Sequence, residues 1–171
     1  ESGQTGPEEP EGRWIVDPLD GTTNFLHGLP HWAISIALEQ AGGIVAGVVF
    51  DPLKDELFWA ERGHGAYVNS RQLRISRKED LTESLFATGM PFKGRGDQDT
   101  TMAEIEKVAF ASAGVRRFGS AALDLAYVAA GRYDGYWERG LAAWDIAAGA
   151  LIANEAGGRV TDLNGGEKIV S

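Results

Sequence analysis

Short apolar runs separated by turn-forming residues are the main pattern along the chain, and they predict β-strands. Gly42-Gly43 separates two such runs, and Asn69-Ser70 separates two shorter ones, which is typical of strands joined by tight turns. The predicted strands cover residues 14–16, 33–38, 44–50, 56–60, 65–68, 72–75, 85–88, 115–118 and 133–138.

Apolar residues recur with helical spacing in three further segments, at residues 101–111, 120–130 and 144–156. Ser120 is a favourable N-cap for the second segment, and the glycines at 131 and 157 are suitable stops for the second and third. The first segment has an apolar face, which we expect to pack on a sheet. Its members are Met102, Ile105, Val108 and Ala109. Strands alternating with helices predict an α/β protein with sheets between helices.

The segment DPLDGT at residues 17–22 has the composition of a metal site. We expect a buried strand that ends at Asp17, after which the proline turns the chain. The turn would let Asp17 and Asp20 converge, with the carbonyl of Leu19 between them. Carboxylate and carbonyl oxygens are the ligands that a hard cation such as Mg²⁺ prefers.

The residues after these carboxylates add a possible anion site. The N–H groups of Gly21 and Thr22 are candidates for holding an anionic oxygen. The alternative for the whole segment is two successive turns, because Asp-Pro and Asp-Gly are ordinary turn dipeptides. Asp145 offers another carboxylate in the first turn of the predicted helix 144–156. Its alternative role is simply that of a residue favoured near the positive end of a helix.

Composition limits the classes of function. The chain has 171 residues, of which 43% are hydrophobic and 24% charged, so it can bury one sizeable core and we expect a single domain over residues 1–171. A net charge of −9 argues against nucleic acid as the main partner. No run approaches the roughly 20 apolar residues of a membrane span, which argues against a membrane protein. The absence of cysteine suits a reducing compartment, and we expect a cytoplasmic location.

Together, the segment at residues 17–22 and the segment that contains Asp145 resemble motifs of the inositol monophosphatase family of Mg²⁺-dependent phosphomonoesterases. The segments WIVDPLDGTTNF at 14–25 and WDIAAGALIANEAGG at 144–158 are similar to the two signatures of that family, in the same order. Residues 119–126 and 136–140 are similar to its substrate-side segments. The resemblance covers essentially the whole chain. It implies a layered α-β-α-β-α sandwich of the inositol monophosphatase and fructose-1,6-bisphosphatase type.

The resemblance also implies a role for each residue of these motifs. Asp17 would bridge two metal ions, and Leu19 would supply a carbonyl to one of them. Asp20 and Asp145 would hold the other ion. Thr22 would orient the attacking water, so the implied catalytic residues are Thr22, Asp17 and Asp20. The implied substrate-binding residues are Gly21, Thr22, Gly119, Ser120, Ala121, Glu138 and Asp145.

The activity implied is Mg²⁺-dependent hydrolysis of a small phosphate monoester, first of all inositol monophosphate, by a homodimer. The alternatives are relatives that act on fructose 1,6-bisphosphate, histidinol phosphate or phosphoadenosine phosphate. Thr23 favours the inositol branch over the last two, whose members tend to have lysine at that position. A further alternative is a non-catalytic regulatory protein that retains the fold.

The ends of the chain differ from the family pattern. In the family, a Glu-Glu pair precedes the aspartate-rich segment, and its first member is a metal ligand. Glu1 is similar to the second member of that pair, and residues 168–171 suggest the start of a strand or loop. We therefore expect the chain to be a fragment that is truncated at both ends.

Overall fold

Two β-sheets with helices packed on them form the part of the chain that the structure, a computed structural model, describes, which is residues 11–90 and 97–166. The layered α/β sandwich expected from the sequence is confirmed. Glu1 and residues 168–171, on which the expectation of truncation rests, lie outside the described residues.

The larger sheet is an antiparallel meander. Its strands follow one another in space in the same order as in the sequence, and each pairs with the next. They are Arg13–Asp20 (β1), Ala33–Gln40 (β2), Gly43–Asp51 (β3), Glu56–Glu61 (β4), Ala66–Val68 (β5) and Arg71–Gln72 (β6).

The smaller sheet has three parallel strands, Leu85–Thr88 (β7), Gly114–Arg116 (β8) and Gly135–Trp137 (β9), in the order β8-β7-β9. Because parallel strands run in the same direction, their carboxyl ends meet at one edge of the sheet. The residues that follow the three strands are therefore neighbours in space.

Four α-helices occur among the described residues: Thr22–Leu26 (α1), Gln98–Ala111 (α2), Ala121–Ala129 (α3) and Ala143–Glu155 (α4). Helix α4 lies across the first five strands of the larger sheet, and α3 contacts α4, β2, β3 and also β9. Helix α3 therefore connects the two sheets.

Small residues allow α4 to approach its neighbours closely. A Cβ atom added to Gly47 of β3 would lie 2.9 Å from the Cα of Ala148 in α4. One added to Gly149 of α4 would lie 2.7 Å from the Cβ of Leu125 in α3. Both distances are too short for real contacts, so the packing of α4 against sheet and helix requires glycine at these positions.

Most predicted elements are confirmed, with boundary changes of a few residues. Strands β2, β3, β4 and β7 include the predicted runs, and helices α2 and α4 include most of theirs. The predicted hairpin at Asn69-Ser70 is present, with Val68 paired to Arg71. Ser120 is the N-cap of α3, as expected.

The expectation of a buried strand that turns at the proline is wrong. Of the apolar run, only Ile15 is buried, while Trp14 is 66% and Val16 47% exposed. The strand also continues through the proline to Asp20. The reason is that β1 lies at the edge of the larger sheet among the described residues, where a proline needs no N–H donor for a second ladder.

The apolar face of α2 also differs from expectation. Within α2, which is fully described, only Thr101 is buried, whereas Met102 and Phe110 are exposed. Its main contact is with β8, a strand of three residues that is too short to cover a helix of 14 residues.

Among the described residues, no helix is long and apolar enough to cross a membrane.

Candidate metal site

Three carboxylates converge in the structure: those of Asp17 and Asp20 in β1 and that of Asp145 in α4. One oxygen atom of each lies within 4.8 Å of the other two. The convergence predicted from the two separate sequence motifs is therefore confirmed. Three anionic groups this close repel one another unless a cation lies between them or a proton is taken up.

An irregularity at the end of β1 brings two of these side chains together. In a regular strand, side chains three positions apart point to opposite faces. The pairing of β1 with β2 shifts register between Asp17 and Asp20, and a bulge of this kind re-aims side chains. The N–H of Leu19 donates to Oδ1 of Asp17 at 3.0 Å, which holds this local geometry.

Asp20 is held from behind by the start of α3. Its Oδ2 accepts hydrogen bonds from the hydroxyl of Ser120 at 2.6 Å and from the N–H of Ala122 at 2.8 Å. Burial raises the pKa of Asp20 to about 6, against the effect of these two hydrogen bonds, and the charges of Asp17 and Asp145 raise it further. Among the described residues, the negative charges of the cluster are therefore not balanced by a nearby positive charge.

Ser120 consequently has a different place from the one expected. It is buried, and its hydroxyl positions Asp20 instead of lining the cleft. Its neighbours Gly119 and Ala121 do line the cleft. A contact of the Ser120 side chain with substrate does not agree with this geometry, because its hydroxyl is directed at the carboxylate of Asp20.

Asp145 lies in the first turn of α4. Its Oδ2 accepts a hydrogen bond from the N–H of Ala142 at 2.7 Å, which fixes the carboxylate at the start of the helix. Burial raises the pKa of Asp145, the hydrogen bond from Ala142 opposes this, and the charge of Asp17 raises the pKa further. The alternative role of a simple helix-start residue does not account for its place beside the two aspartates of β1.

Gly21 joins β1 to α1 where a side chain could not fit. Its φ of 89° lies in the left-handed region, and a Cβ would lie 3.0 Å from the carbonyl oxygen of His31. The buried Asn24 then anchors α1, because its amide donates to the carbonyl of His31 at 2.8 Å and to that of Phe118 at 2.7 Å. These contacts hold Gly21 and Thr22 beside the carboxylates.

The carboxylates open into a cleft of about 400 Å³. Of the residues predicted for the site, all except Ser120 line it. The lining residues that were not predicted individually for the site include Gly89, Met90, Arg117, Arg139 and Trp144. All of these except Trp144 directly follow a strand or lie one position further on, so a search of strand ends would have found four of them.

Glu138 follows β9 and reaches the same cleft, as predicted. Its Oε2 accepts a hydrogen bond from the hydroxyl of Tyr136. Burial raises the pKa of Glu138, the hydrogen bond from Tyr136 lowers it, and the charge of Asp145 raises it. One carboxylate oxygen of Glu138 is thus held, and the other can accept from a ligand.

A fifth carboxyl group, that of Asp124 in α3, lies beneath the cleft. The residue is 1% exposed, and neither carboxyl oxygen has a hydrogen-bond partner within residues 11–90 and 97–166. Burial raises the pKa of Asp124 to about 8, with further contributions from the charges of Glu138 and Asp20. Burial therefore favours the protonated form of this carboxyl group.

The donor set fits a hard divalent cation. The three converging carboxylates and the nearby carbonyl of Leu19 are all oxygen ligands, the kind that such a cation prefers. A cation at this point would also relieve the repulsion that raises the pKa values of Asp20 and Asp145.

Comparison with known proteins identifies the family. A sequence model described as the inositol monophosphatase family matches residues 1–171. The chain belongs to this family. Among curated relatives, the inositol-1-monophosphatase of Rhizobium meliloti strain 1021 is 60% identical over 156 residues, which are 91% of this chain and 59% of that protein. The Nus factor SuhB of Escherichia coli strain K12 is 50% identical over 166 residues, which are 97% of this chain and 62% of that protein.

The fold is shared with solved structures of the family. The extragenic suppressor protein suhB from Bartonella henselae superposes with a TM-score of 0.90 at 57% identity, covering 93% of this chain and 61% of that one. The chain thus spans about three fifths of the length of these relatives.

Proposed function

We propose that the protein hydrolyses a phosphate monoester of a polyol, with inositol monophosphate as the substrate and Mg²⁺ as the cofactor. The observation that carries the proposal is the convergence of Asp17, Asp20 and Asp145 beside Glu138 in one cleft. Membership of the family and the printed name of the Rhizobium meliloti relative support it.

Within this proposal the carboxylates hold the cations. Asp17 would contribute a ligand to both of two ions, the carbonyl of Leu19 to one of them, and Asp20 and Asp145 to the other. Bound Mg²⁺ supplies charge neutralisation for the phosphate and activation of a water molecule. Ser120 and the N–H of Ala122 keep Asp20 in place, so that its oxygens do not have to reorganise when a cation binds.

Thr22 orients the attacking water. Its hydroxyl proton is already donated to the carbonyl of Leu19 at 2.9 Å, so its oxygen is left to accept a hydrogen bond from a water. The N–H groups of Gly21 and Thr22 hold the phosphate. On the alcohol side, Gly119 and Ala121 form part of the wall, and Glu138 accepts hydrogen bonds from the hydroxyls of the polyol.

The test is phosphate release by the full-length gene product, with and without Mg²⁺. The panel contains the phosphates of inositol, fructose, histidinol and adenosine, because a few pocket contacts decide between such substrates. Release from inositol monophosphate that requires Mg²⁺ supports the proposal, whereas a preference for another ester would change the substrate but not the reaction.

A second candidate function is the binding of another macromolecule without catalysis. The observation in its favour is that relatives about half identical to this chain carry the name Nus factor SuhB. The intact acidic cluster favours catalysis. If the full-length gene product released no phosphate from any ester of the panel at saturating Mg²⁺, the second candidate would be preferred.

A homodimer and a cytoplasmic location belong to the same proposal and are supported by the family resemblance. Light scattering after size-exclusion chromatography of the full-length gene product tests the first, and cell fractionation tests the second.

Replacing Thr22 by alanine should lower kcat by about 100-fold, the scale of losing one positioned proton-transfer contact. The affinity for Mg²⁺ should change little, because Thr22 contributes no ligand atom. The measurement is kcat as a function of Mg²⁺ concentration. Thr22→Ser should restore much of the rate, and Thr23→Ala, which removes a neighbouring hydroxyl of the cleft, is the control. An equal fall in Mg²⁺ affinity would show instead that Thr22 acts by holding the carbonyl of Leu19.

Replacing Glu138 by glutamine should raise KM for polyol phosphates by about tenfold, because a charged acceptor of substrate hydroxyls is lost. Metal affinity should be largely unchanged, since Glu138 is not among the converging carboxylates. Steady-state kinetics and calorimetric titration with Mg²⁺ measure the two effects. If metal affinity fell in parallel with substrate affinity, Glu138 would have to be counted among the ligands.

A further inference from the structure

Gly89, which has no side chain, lines the cleft together with Glu138. Strands β7 and β9 pair in parallel with Thr88 opposite Trp137, so the residues that follow them are adjacent. The hydroxyl of the buried Thr88 donates to the carbonyl of Trp137 at 2.7 Å, which locks this register at the point where both strands end.

The carboxylate of Glu138 occupies the space that a side chain at position 89 would need. A Cβ atom added to Gly89 would lie 1.8 Å from Cδ of Glu138 and 1.9 Å and 2.1 Å from its two carboxylate oxygens. These distances are far shorter than any non-bonded contact, so even a methyl group displaces the carboxylate.

The backbone of Gly89 does not itself demand glycine. Its φ lies outside the left-handed region that side chains avoid. The three atoms nearest to such a Cβ all belong to Glu138, so the requirement for glycine comes from this side chain. On its other side the carboxylate accepts the hydroxyl of Tyr136, so it lies between a fixed donor and a bare peptide.

We infer that Gly89 is the specificity-determining position of the cleft. Because residue 89 has no side chain, the carboxylate of Glu138 can occupy the position from which it selects alcohols that carry several hydroxyls. This inference rests on the proposed phosphatase function and adds a residue to it. Gly89 is a positioning residue that acts through Glu138. With a larger residue at position 89, the same cleft would favour phosphate esters whose alcohol carries no further hydroxyl.

The test compares two substrates in the full-length gene product. Gly89→Ala should lower kcat/KM for inositol monophosphate by about tenfold to a hundredfold, the loss expected for one hydrogen bond to a charged acceptor, mainly through KM. With 4-nitrophenyl phosphate, whose alcohol has no further hydroxyl, kcat/KM should stay within about twofold of the wild-type value, and so should the affinity for Mg²⁺.

A matched control separates this effect from damage to the strand pair. A Cβ on Gly135, at the other end of β9, would lie 2.7 Å from the ring of Phe86 in β7. Gly135→Ala therefore perturbs the same two strands without touching Glu138. It should lower the melting temperature without changing the ratio of kcat/KM values for the two substrates.

A double-mutant cycle tests whether Gly89 acts through Glu138. In a Glu138→Ala background, where no carboxylate remains to be displaced, Gly89→Ala should leave the substrate ratio unchanged. An unchanged ratio for Gly89→Ala in the wild-type background would overturn the inference while leaving the phosphatase intact, as would an equal loss with both substrates. A wild-type protein that releases no phosphate from either ester would overturn the proposed function itself, and this inference with it.

Discussion

Replacing Asp17 by asparagine is expected to abolish phosphate release by the full-length gene product, even at high Mg²⁺ concentration. Asp17 is the proposed bridge between two cations, so the substitution weakens both sites at once. Asp145→Asn should behave differently, because Asp145 serves one site, and raising the Mg²⁺ concentration should restore part of the rate. Initial rates measured over a wide range of Mg²⁺ concentration distinguish the two variants.

The stability of the cation-free protein provides the control for this prediction. Neutralising Asp17 removes one of the charges that raise the pKa values of Asp20 and Asp145. Asp17→Asn should therefore keep or raise the melting temperature without Mg²⁺, while losing the increase that Mg²⁺ gives the wild type. If the rate and the melting temperature of the variant depended on Mg²⁺ as they do in the wild type, Asp17 would not be part of the metal site.

Replacing Asp124 by asparagine should change how the free energy of unfolding depends on pH. The pKa of Asp124 is raised from 3.8 to about 8 in the folded protein. Between these values the folded state keeps a proton that the unfolded state releases, so stability falls as the pH rises, by up to about 1.4 kcal/mol per pH unit. Asparagine does not titrate, so the variant should gain stability relative to the wild type from about pH 4 up to pH 8.

Chemical denaturation at a series of pH values measures this difference, and Asp134→Asn is the matched control. Burial tends to raise the pKa of Asp134, but the nearby Ser76, the hydrogen bond from the N–H of Leu85 and the charge of Lys78 outweigh it, so the pKa is lowered. That carboxylate stabilises the fold at higher pH and the contribution is lost in acid, so its substitution should have the opposite sign. A difference between Asp124→Asn and wild type that does not grow with pH would show that Asp124 is ionised in the folded state.

Two hairpins of the meander could be predicted from sequence because their signals are local. Gly42-Gly43 and Asn69-Ser70 mark turns between runs of the right length, and neighbouring strands then pair by default. The convergence of Asp17, Asp20 and Asp145 could also be predicted, since two long motifs carried these residues.

The supporting residues could not be predicted, because long-range register decides their roles. Ser120 was recognisable as an N-cap, but nothing local indicated that its hydroxyl would face Asp20. Gly89 matters because β7 and β9 pair in one register, and a shift of one residue would place another side chain against Glu138. Asp124 reads as an ordinary residue in the first turn of a helix until its burial is known.

The hydrogen bonds to Asp20 have a consequence for the order of folding events. Their donors, Ser120 and Ala122, lie 100 and 102 residues further along the chain, and Asp145 lies further still. The meander, in contrast, pairs only consecutive strands. Contacts of long sequence separation form late, since a large loop must close first. Interactions that are absent from the folding transition state slow unfolding and leave folding unchanged. A cation held by the three carboxylates would therefore lengthen the lifetime of the folded protein without making it fold faster.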